Sequence, residues 1–375
     1  MTRTGQKKVA HLTSVHQVSD VRIFQKECKS LVKAGYDVVL VGNGESTKFP
    51  GEPTVIGIKH VRSRAVRVAL SWVQVLRAAL RTGASAFHLH DPELIVAGLI
   101  LKLLGKVVIF DCHEYYAQDM LDREYIAPSL RKFLARMVRI ALRLADKYFD
   151  GIVVAAPGML RDFANKNTTV LNNYPEWEIG ATTTKQLSER PPLIAYVGSI
   201  CERRGIREIV AALEIVAEST EVKLLLCGRF TPPELFDEMR CQPGWQFVDY
   251  RGLVSRDEMQ HLLDDAIAGL VIFWDISNHR ESSPNKLFEY MALGLPSIVT
   301  DFPSWREFLD PVGTSLTVDP RDPRELARKI SWIISNRSEA EQMGKRGQQA
   351  AREQFNWMSE SRKLIALYST LLASG

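Results

Sequence analysis

Short apolar runs alternate along this chain with longer stretches in which apolar positions recur every three to four residues. In the first half, residues 8–12, 36–41, 86–89, 107–110, 151–155 and 169–171 read as short buried strands. Helical spacing covers 21–34, closed by Gly35, and 66–81, and another helix opens at Asp91 and Pro92, read as its cap and first turn. The polar segment 11–20, His-Leu-Thr-Ser-Val-His-Gln-Val-Ser-Asp, reads as a functional loop after the first strand. A stretch rich in Thr, Glu and Pro, 176–192, reads as a linker, after which the pattern restarts. Strands are expected at 193–197, 222–227, 247–250, 268–273, 297–300 and 315–318, a short helix at 257–263, and a last helix running to about residue 372. This alternation predicts an α/β protein of two Rossmann-like, doubly wound parallel sheets, whose ligands bind outside the carboxyl ends of the strands. His16, His90, His113 and Glu114 fall at such ends.

The stretch 281–296 carries the strongest candidate chemistry: Glu-Ser-Ser-Pro-Asn-Lys-Leu-Phe-Glu-Tyr-Met-Ala-Leu-Gly-Leu-Pro. A strand is expected to end near Asp275 and a helix to begin near Pro284, with Ser282 and Ser283 as cap candidates and Pro284 in the first turn. At 100° per residue, Leu287, Phe288, Met291, Ala292 and Leu295 share one side, while Asn285, Lys286 and Glu289 share the other. A helix start offers unpaired N–H groups to a diphosphate, Lys286 adds a full charge, and Glu289 can accept two hydrogen bonds from a ribose diol. Glu281 then lies at the mouth. The plainer alternative is a solvated pair of Lys286 and Glu289 at i, i+3.

Composition narrows the class. With 375 residues, 46% hydrophobic and 25% charged, the chain suits two globular domains. Its five cysteines show no Cys-x-x-Cys spacing, which suggests neither zinc nor disulfides and fits a reducing cytoplasm. The first ten residues lack the apolar core of a signal peptide, and Lys102 and Lys106 interrupt the longest apolar region, so no membrane span is expected. Residues 1–180 hold 25 Lys+Arg against 17 Asp+Glu, the remainder 23 against 27. The excess gathers in two helical patches: Arg62, Arg64, Arg67, Arg77 and Arg81 around Trp72, and Arg131, Lys132, Arg136, Arg139, Arg143 and Lys147. Such helices suit either an anionic membrane or an ordinary solvated face. No stacking or groove-reading motif points to nucleic acid. The spacing of His16, His90, His113 and the nearby acids matches no metal-ligand pattern, and no metal site is expected.

Glu281, Glu289 and the Tyr-Met-Ala-Leu-Gly-Leu-Pro that follows resemble the glutamate motif of retaining glycosyltransferase family 4, whose fold is GT-B. His-Leu-His-Asp-Pro-Glu at 88–93 and Asp-x-His-Glu at 111–114 resemble the amino-terminal half of the same family. The resemblance implies two domains facing a cleft, 1–178 on the acceptor side and 190–356 binding the donor, with a helix over 357–375 crossing back onto the first. It implies a catalytic pair, His113 near the donor sugar and acceptor and Glu281 by the donor sugar, with Glu289 on the ribose. His16, Asp20, His90 and Glu114 would flank the cleft. Gly198, Ser199 and Arg204 form the turn near the diphosphate, where the family usually carries an arginine after the first glycine and a lysine before the second; Arg204 can take over the lysine's contact. The base would lie near Arg229 and the main chain of Arg251. Ser282-Ser283-Pro284 stands where the family usually has Pro-Phe-Gly, and Asn285 and Lys286 are placed to compensate.

These readings converge on a metal-independent, retaining hexosyltransferase without cofactor. It takes a nucleotide sugar, a UDP-sugar being favoured over a GDP-sugar, and a glycan or lipid-linked acceptor. Surface polysaccharide assembly is the expected process, in the cytoplasm or at the inner face of the cytoplasmic membrane. A nucleotide-sugar epimerase of the same fold, or a non-catalytic membrane-associated carbohydrate-binding scaffold, are the alternatives.

Overall fold

Among the described residues, thirteen strands form two parallel sheets. The structure is a computed structural model that describes residues 7–59, 64–121, 123, 126–176 and 185–373. The chain divides into two compact units, Met1–Asn173 with Trp357–Gly375, and Tyr174–Asn356. The first unit holds β1 (Lys8–Gln17), β2 (Asp37–Asn43), β3 (Thr54–Ile58), β4 (Ala86–Leu89), β5 (Val107–Cys112), β6 (Gly151–Val154) and β7 (Thr168–Val170), in the order β3-β2-β1-β4-β5-β6-β7. The second holds β8 (Leu193–Val197), β9 (Lys223–Cys227), β10 (Val248–Gly252), β11 (Ala268–Val271), β12 (Ser297–Thr300) and β13 (Ser315–Val318), in the order β10-β9-β8-β11-β12-β13. Strand order reverses beside β1 in one sheet and β8 in the other, which opens a crevice at the strand ends there.

Three local expectations change. The first strand runs on through the polar segment to Gln17, with a register shift after Leu12, because His11, Thr13 and Ser14 bury their polar groups against other side chains instead of solvent. The strand β3 was not expected: its Thr-Val-Ile-Gly-Ile run is broken by a glycine. The helix after Asp20 begins as a wide, π-type turn over Val21–Cys28 before continuing as an α-helix over Lys29–Lys33. Wider turns stack residues five apart, which brings Arg22 within 3.1 Å of Glu27 on the inner face.

The terminal helix, Trp357–Ala373, belongs to the first unit. Its Trp357, Leu364, Tyr368 and Leu372 pack with Ile23, Leu31, Val38 and Leu40, and the Trp357 indole donates to Ser30 Oγ at 2.9 Å. Burying a side chain of this size contributes roughly 1.5–3 kcal/mol. The helix is thus an integral wall of the first core. Arg62 and residues 177–184 of the expected linker lie outside the described residues. No described helix is long and apolar enough to cross a membrane.

Candidate functional site

In the second unit three strand ends converge. After β8 the chain turns at Gly198, whose φ of 117° is a conformation that side chains disfavour. After β9 it turns at Gly228, where an added Cβ would meet the Gly198 carbonyl oxygen at 1.8 Å, so only glycine fits. The Gly228 amide donates to the carbonyl of Gly252, at the end of β10, at 2.7 Å. Beside these turns opens a cavity of about 550 Å³ lined by Val197, Gly198, Gly228, Arg229, Leu253 and Met259, among others. Apolar walls with main-chain polar groups at one end suit a planar base.

Two cations gather at the same turn. From a Cβ placed on Gly198, Lys286 Nζ lies at 3.8 Å and Arg204 Nη1 at 3.9 Å. Lys286 is buried, its ammonium stands 3.7 Å from the centre of the Tyr196 ring, and Nζ has no hydrogen-bond partner. Burial pushes its pKa well below the usual lysine range, and the Arg204 charge lowers it further. A desolvated cation without a partner costs stability. Arg204 already donates to the Ser199 carbonyl at 3.3 Å, so an anion drawn over the Gly198 turn would supply the partner that Lys286 lacks and a counter-charge for both.

The helix Asn285–Ala292 starts differently from expectation. Pro284 is its cap residue, and Ser282 and Ser283 do not cap it; the Ser282 hydroxyl donates to the His279 carbonyl at 2.8 Å. Lys286 is also not on an outward face: it is buried, with its Cε and Nζ against the Gly198 turn and Nζ over the Tyr196 ring. Asn285 is exposed and Glu289 half-buried. Glu281 is half-buried in a loop that Trp305 fixes, its indole donating to the Ser282 carbonyl at 2.7 Å. Ser199, Arg229 and Arg251 are exposed; the Arg251 side chain pairs with Asp249 at 2.7 Å and does not line the cavity.

In the first unit, the ends of β1, β4 and β5 hold a polar chain. The Asp111 carboxylate, fully buried, receives two bonds from Arg22 at 2.9 and 3.0 Å and lies 3.1 Å from His90 Nδ1 and 3.5 Å from His113 Nδ1. Burial would raise its pKa, but the Arg22 charge together with the bonds from His113 and His90 outweighs that and holds it well below the usual range. The Tyr116 hydroxyl lies 3.2 Å from His113 Nε2, and His16 meets the His113 ring edge-on with centres 5.1 Å apart. Asp91 is the cap residue of the short helix Pro92–Leu94, as expected, but its carboxylate does not bond that helix; it accepts from the Thr13 hydroxyl and the amides of Ser14 and Val15, tying down the end of β1. Of the expected first-domain residues, His16, Asp20 and His113 are partly accessible, Glu114 is exposed, and His90 is fully buried behind His113. His90 therefore acts only through neighbouring side chains.

Arg22, Glu27, Tyr116, His11 and His88 were not singled out from sequence. The available signal was a polar residue inside an apolar run, at 11, 88 and 90, and the two-residue spacing of His88 and His90, which puts both on one sheet face.

Asp20 and His16 form a pH-sensitive pair, their charged atoms 3.5 Å apart. Burial pushes the Asp20 carboxyl up, but bonds from His16 and the Ile23 amide outweigh it and hold the pKa at about 2. Its stabilising contribution is therefore present above the ordinary carboxylate pKa of 3.8 and lost as pH falls toward 2. Asp20→Asn should flatten the acid limb of a urea-midpoint profile in that window; an unchanged limb would contradict the pairing.

Comparison with known proteins adds to this geometry. Residues 22–171 match the family model described as Glycosyltransferase Family 4, and residues 191–336 the one described as Glycosyl transferases group 1. Each unit thus carries a match to a glycosyltransferase family model. The GT-B architecture agrees: sucrose-phosphate synthase from Thermosynechococcus elongatus superimposes with a TM-score of 0.77 at 17% identity, over 99% of this chain and 100% of that one. Anabaena HepE in complex with UDP superimposes with a TM-score of 0.73 at 11% identity, over 97% and 100%. In sequence, the capsular polysaccharide biosynthesis glycosyltransferase CapM of Staphylococcus aureus is 26% identical over 187 residues, 48% of this chain and 46% of that protein. The chain spans about half the length of the curated relatives it matches. The family-4 domain contains the Asp111–His113 chain, and the group 1 domain contains the Gly198 turn with both cations.

Proposed function

We propose that this glycosyltransferase moves a sugar from a nucleoside-diphosphate sugar to a glycan or lipid-linked acceptor in surface polysaccharide assembly. The carrying observation is the pair of cations over the Gly198 turn, beside a cavity sized for a nucleotide base. The departing diphosphate develops negative charge, and preorganised cations stabilise such charge without a metal at the donor. Arg204 and Lys286 fill that role in this reading. Glu289 takes the ribose diol, Glu281 stands by the donor sugar, and His113, held by Asp111, hydrogen-bonds a sugar hydroxyl or passes a proton. The configuration is retained, with the leaving phosphate assisting attack on the same face. The UDP complex of HepE and the capsular role of CapM support this choice of donor class and process.

A thermal-shift panel with UDP, GDP, ADP and NAD tests the donor site. A ligand at 100 times its dissociation constant stabilises by roughly 2.7 kcal/mol. A shift with UDP is expected; silence with every nucleotide would remove the diphosphate reading and leave the scaffold alternative. Glu289→Ala should weaken UDP binding by at least about 1 kcal/mol while leaving the affinity for UMP changed equally, since both carry the ribose. An unaltered dissociation constant would contradict the diol contact.

The acceptor reading rests on the helix Pro128–Tyr148. It exposes Leu130, Phe133, Met137 and Ile140 at spacings of three and four, interleaved with exposed Lys132, Arg136, Arg139, Arg143 and Lys147. An apolar stripe flanked by cations is what an anionic bilayer surface attracts. In vesicle flotation, Phe133→Glu combined with Met137→Glu should lower recovery with anionic lipid by roughly tenfold. Equal recovery of the parent protein with neutral and anionic vesicles would sink this part of the reading. Of the other basic patch, Arg77 and Arg81 are exposed.

A further inference from the structure

Behind His113 the first unit encloses a second constellation that the proposed transfer reaction does not use. His11 on β1 is the register partner of His88 on β4, and His90 follows two residues later on the same face. The wide-turned helix Val21–Cys28 lowers Glu27 onto that face, and all four side chains are fully buried. Glu27 Oε2 lies 3.8 Å from His11 Nδ1, 3.9 Å from His88 Nδ1 and 3.9 Å from His90 Nε2. Three ring nitrogens thus surround one carboxylate oxygen, each too far to hydrogen-bond it; the other, Oε1, faces the Arg22 guanidinium at 3.1 Å, and neither oxygen has a hydrogen-bond partner. Only His11 and His90 approach closely, at 2.9 Å.

We propose that His11, Glu27, His88 and His90 form the binding site of a divalent transition-metal ion of the zinc class. Bonds of roughly 2.0–2.2 Å to nitrogen and oxygen put tetrahedral ligands roughly 3.3–3.5 Å apart, between the 2.9 Å and the 3.8–3.9 Å separations found here. The supporting shell that metal-ligating histidines require is present at two of the three rings, while His88 Nε2 has no hydrogen-bond partner. The second nitrogen of His11 is held by the Tyr368 hydroxyl at 3.1 Å, and that of His90 by Asp111 at 3.1 Å. His88 Nδ1 also lies 3.1 Å from the Tyr368 hydroxyl, which releases it on coordination and keeps His11. Three imidazoles and one carboxylate favour zinc, cobalt, nickel or copper over magnesium or calcium. The ion would clamp β1, β4 and the covering helix together, and through His90 and Asp111 it would brace His113. The proposed donor chemistry does not call on such a resident ion, so this inference stands or falls independently of the transfer reading.

The test is elemental analysis of the tag-free full-length chain, expressed in zinc-supplemented medium and desalted, followed by X-ray absorption at the zinc edge. The expected result is about one equivalent of zinc per chain, with three imidazoles and one oxygen in the first shell. Protein containing well under one equivalent would overturn the site. So would a shell of two imidazoles or fewer, as the neighbouring group of His90, Asp111 and His113 would give, or one containing sulfur. Glu27→Gln should abolish stoichiometric zinc; if that variant folds by circular dichroism and still holds a full equivalent, the assignment fails. Should the variant not fold, the wild-type metal content and ligand shell decide alone.

Discussion

Replacing Lys286 with methionine is expected to raise the melting temperature of the free protein while lowering sugar transfer by roughly 10²–10³-fold, the usual cost of losing one preorganised charge-stabilising group. The opposite signs have one cause. In the free protein the ammonium is buried against Tyr196 beside a second cation, with no hydrogen-bond partner, and an apolar side chain of similar length removes that cost. In the donor complex the same ammonium meets a diphosphate. Because burial and Arg204 depress its pKa, the unfolded chain holds more protons than the free native protein at pH values between the depressed and ordinary values. Stability of the free protein therefore rises with pH through that window, and Lys286→Met should remove this slope. Above the depressed pKa, UDP binding takes up a proton, seen as a binding enthalpy that varies with buffer ionisation enthalpy. A variant that loses stability and keeps transfer would show that Lys286 is simply a packed core residue.

Arg22→Met is expected to cost roughly 3–5 kcal/mol of stability, the range for breaking a buried ion pair from one side. Arg22 bonds Asp111 through two nitrogens, donates to the Leu171 carbonyl at 3.0 Å and is nearly inaccessible. Its loss strands a carboxylate with only histidines as partners. Urea unfolding measures the cost, and Arg22→Met combined with Asp111→Asn should recover part of it, because the stranded charge is then gone. A single variant within about 0.5 kcal/mol of the parent would mean that Asp111 finds other compensation. Transfer should fall as well, since Asp111 also orients His113.

Much of the architecture was legible because it follows from local pattern. Buried parallel strands must be short and apolar, and the helices between them must show one apolar side, so both sheets and nearly all their strands could be placed within a few residues. The missed strand β3 has a glycine in its run, and the extension of β1 is polar in composition. Burial of His11, Thr13 and Ser14 depends on partners some eighty residues away, which no local pattern contains. The helix at Asn285 was legible, yet the burial of Lys286 was not, because a helical wheel records direction and not reach. A lysine stem is long enough to reach a neighbouring loop, and here it carries Nζ to the Gly198 turn and the Tyr196 ring.

The sequence by itself determined the two-sheet α/β class, the division into two halves, and the short list of glutamates, basic residues and histidines at strand ends. Those depend on periodicity and residue chemistry, which are local. Tertiary structure alone decided which of them meet. It brought Lys286 and Arg204 to one turn from helices some eighty residues apart, sent His90 inward, aimed the carboxylate of the cap residue Asp91 at the end of β1, and gathered His11, Glu27 and His88 with Tyr368 of the last helix. Contacts across such separations follow from strand order and register, and those are fixed only when the whole core packs.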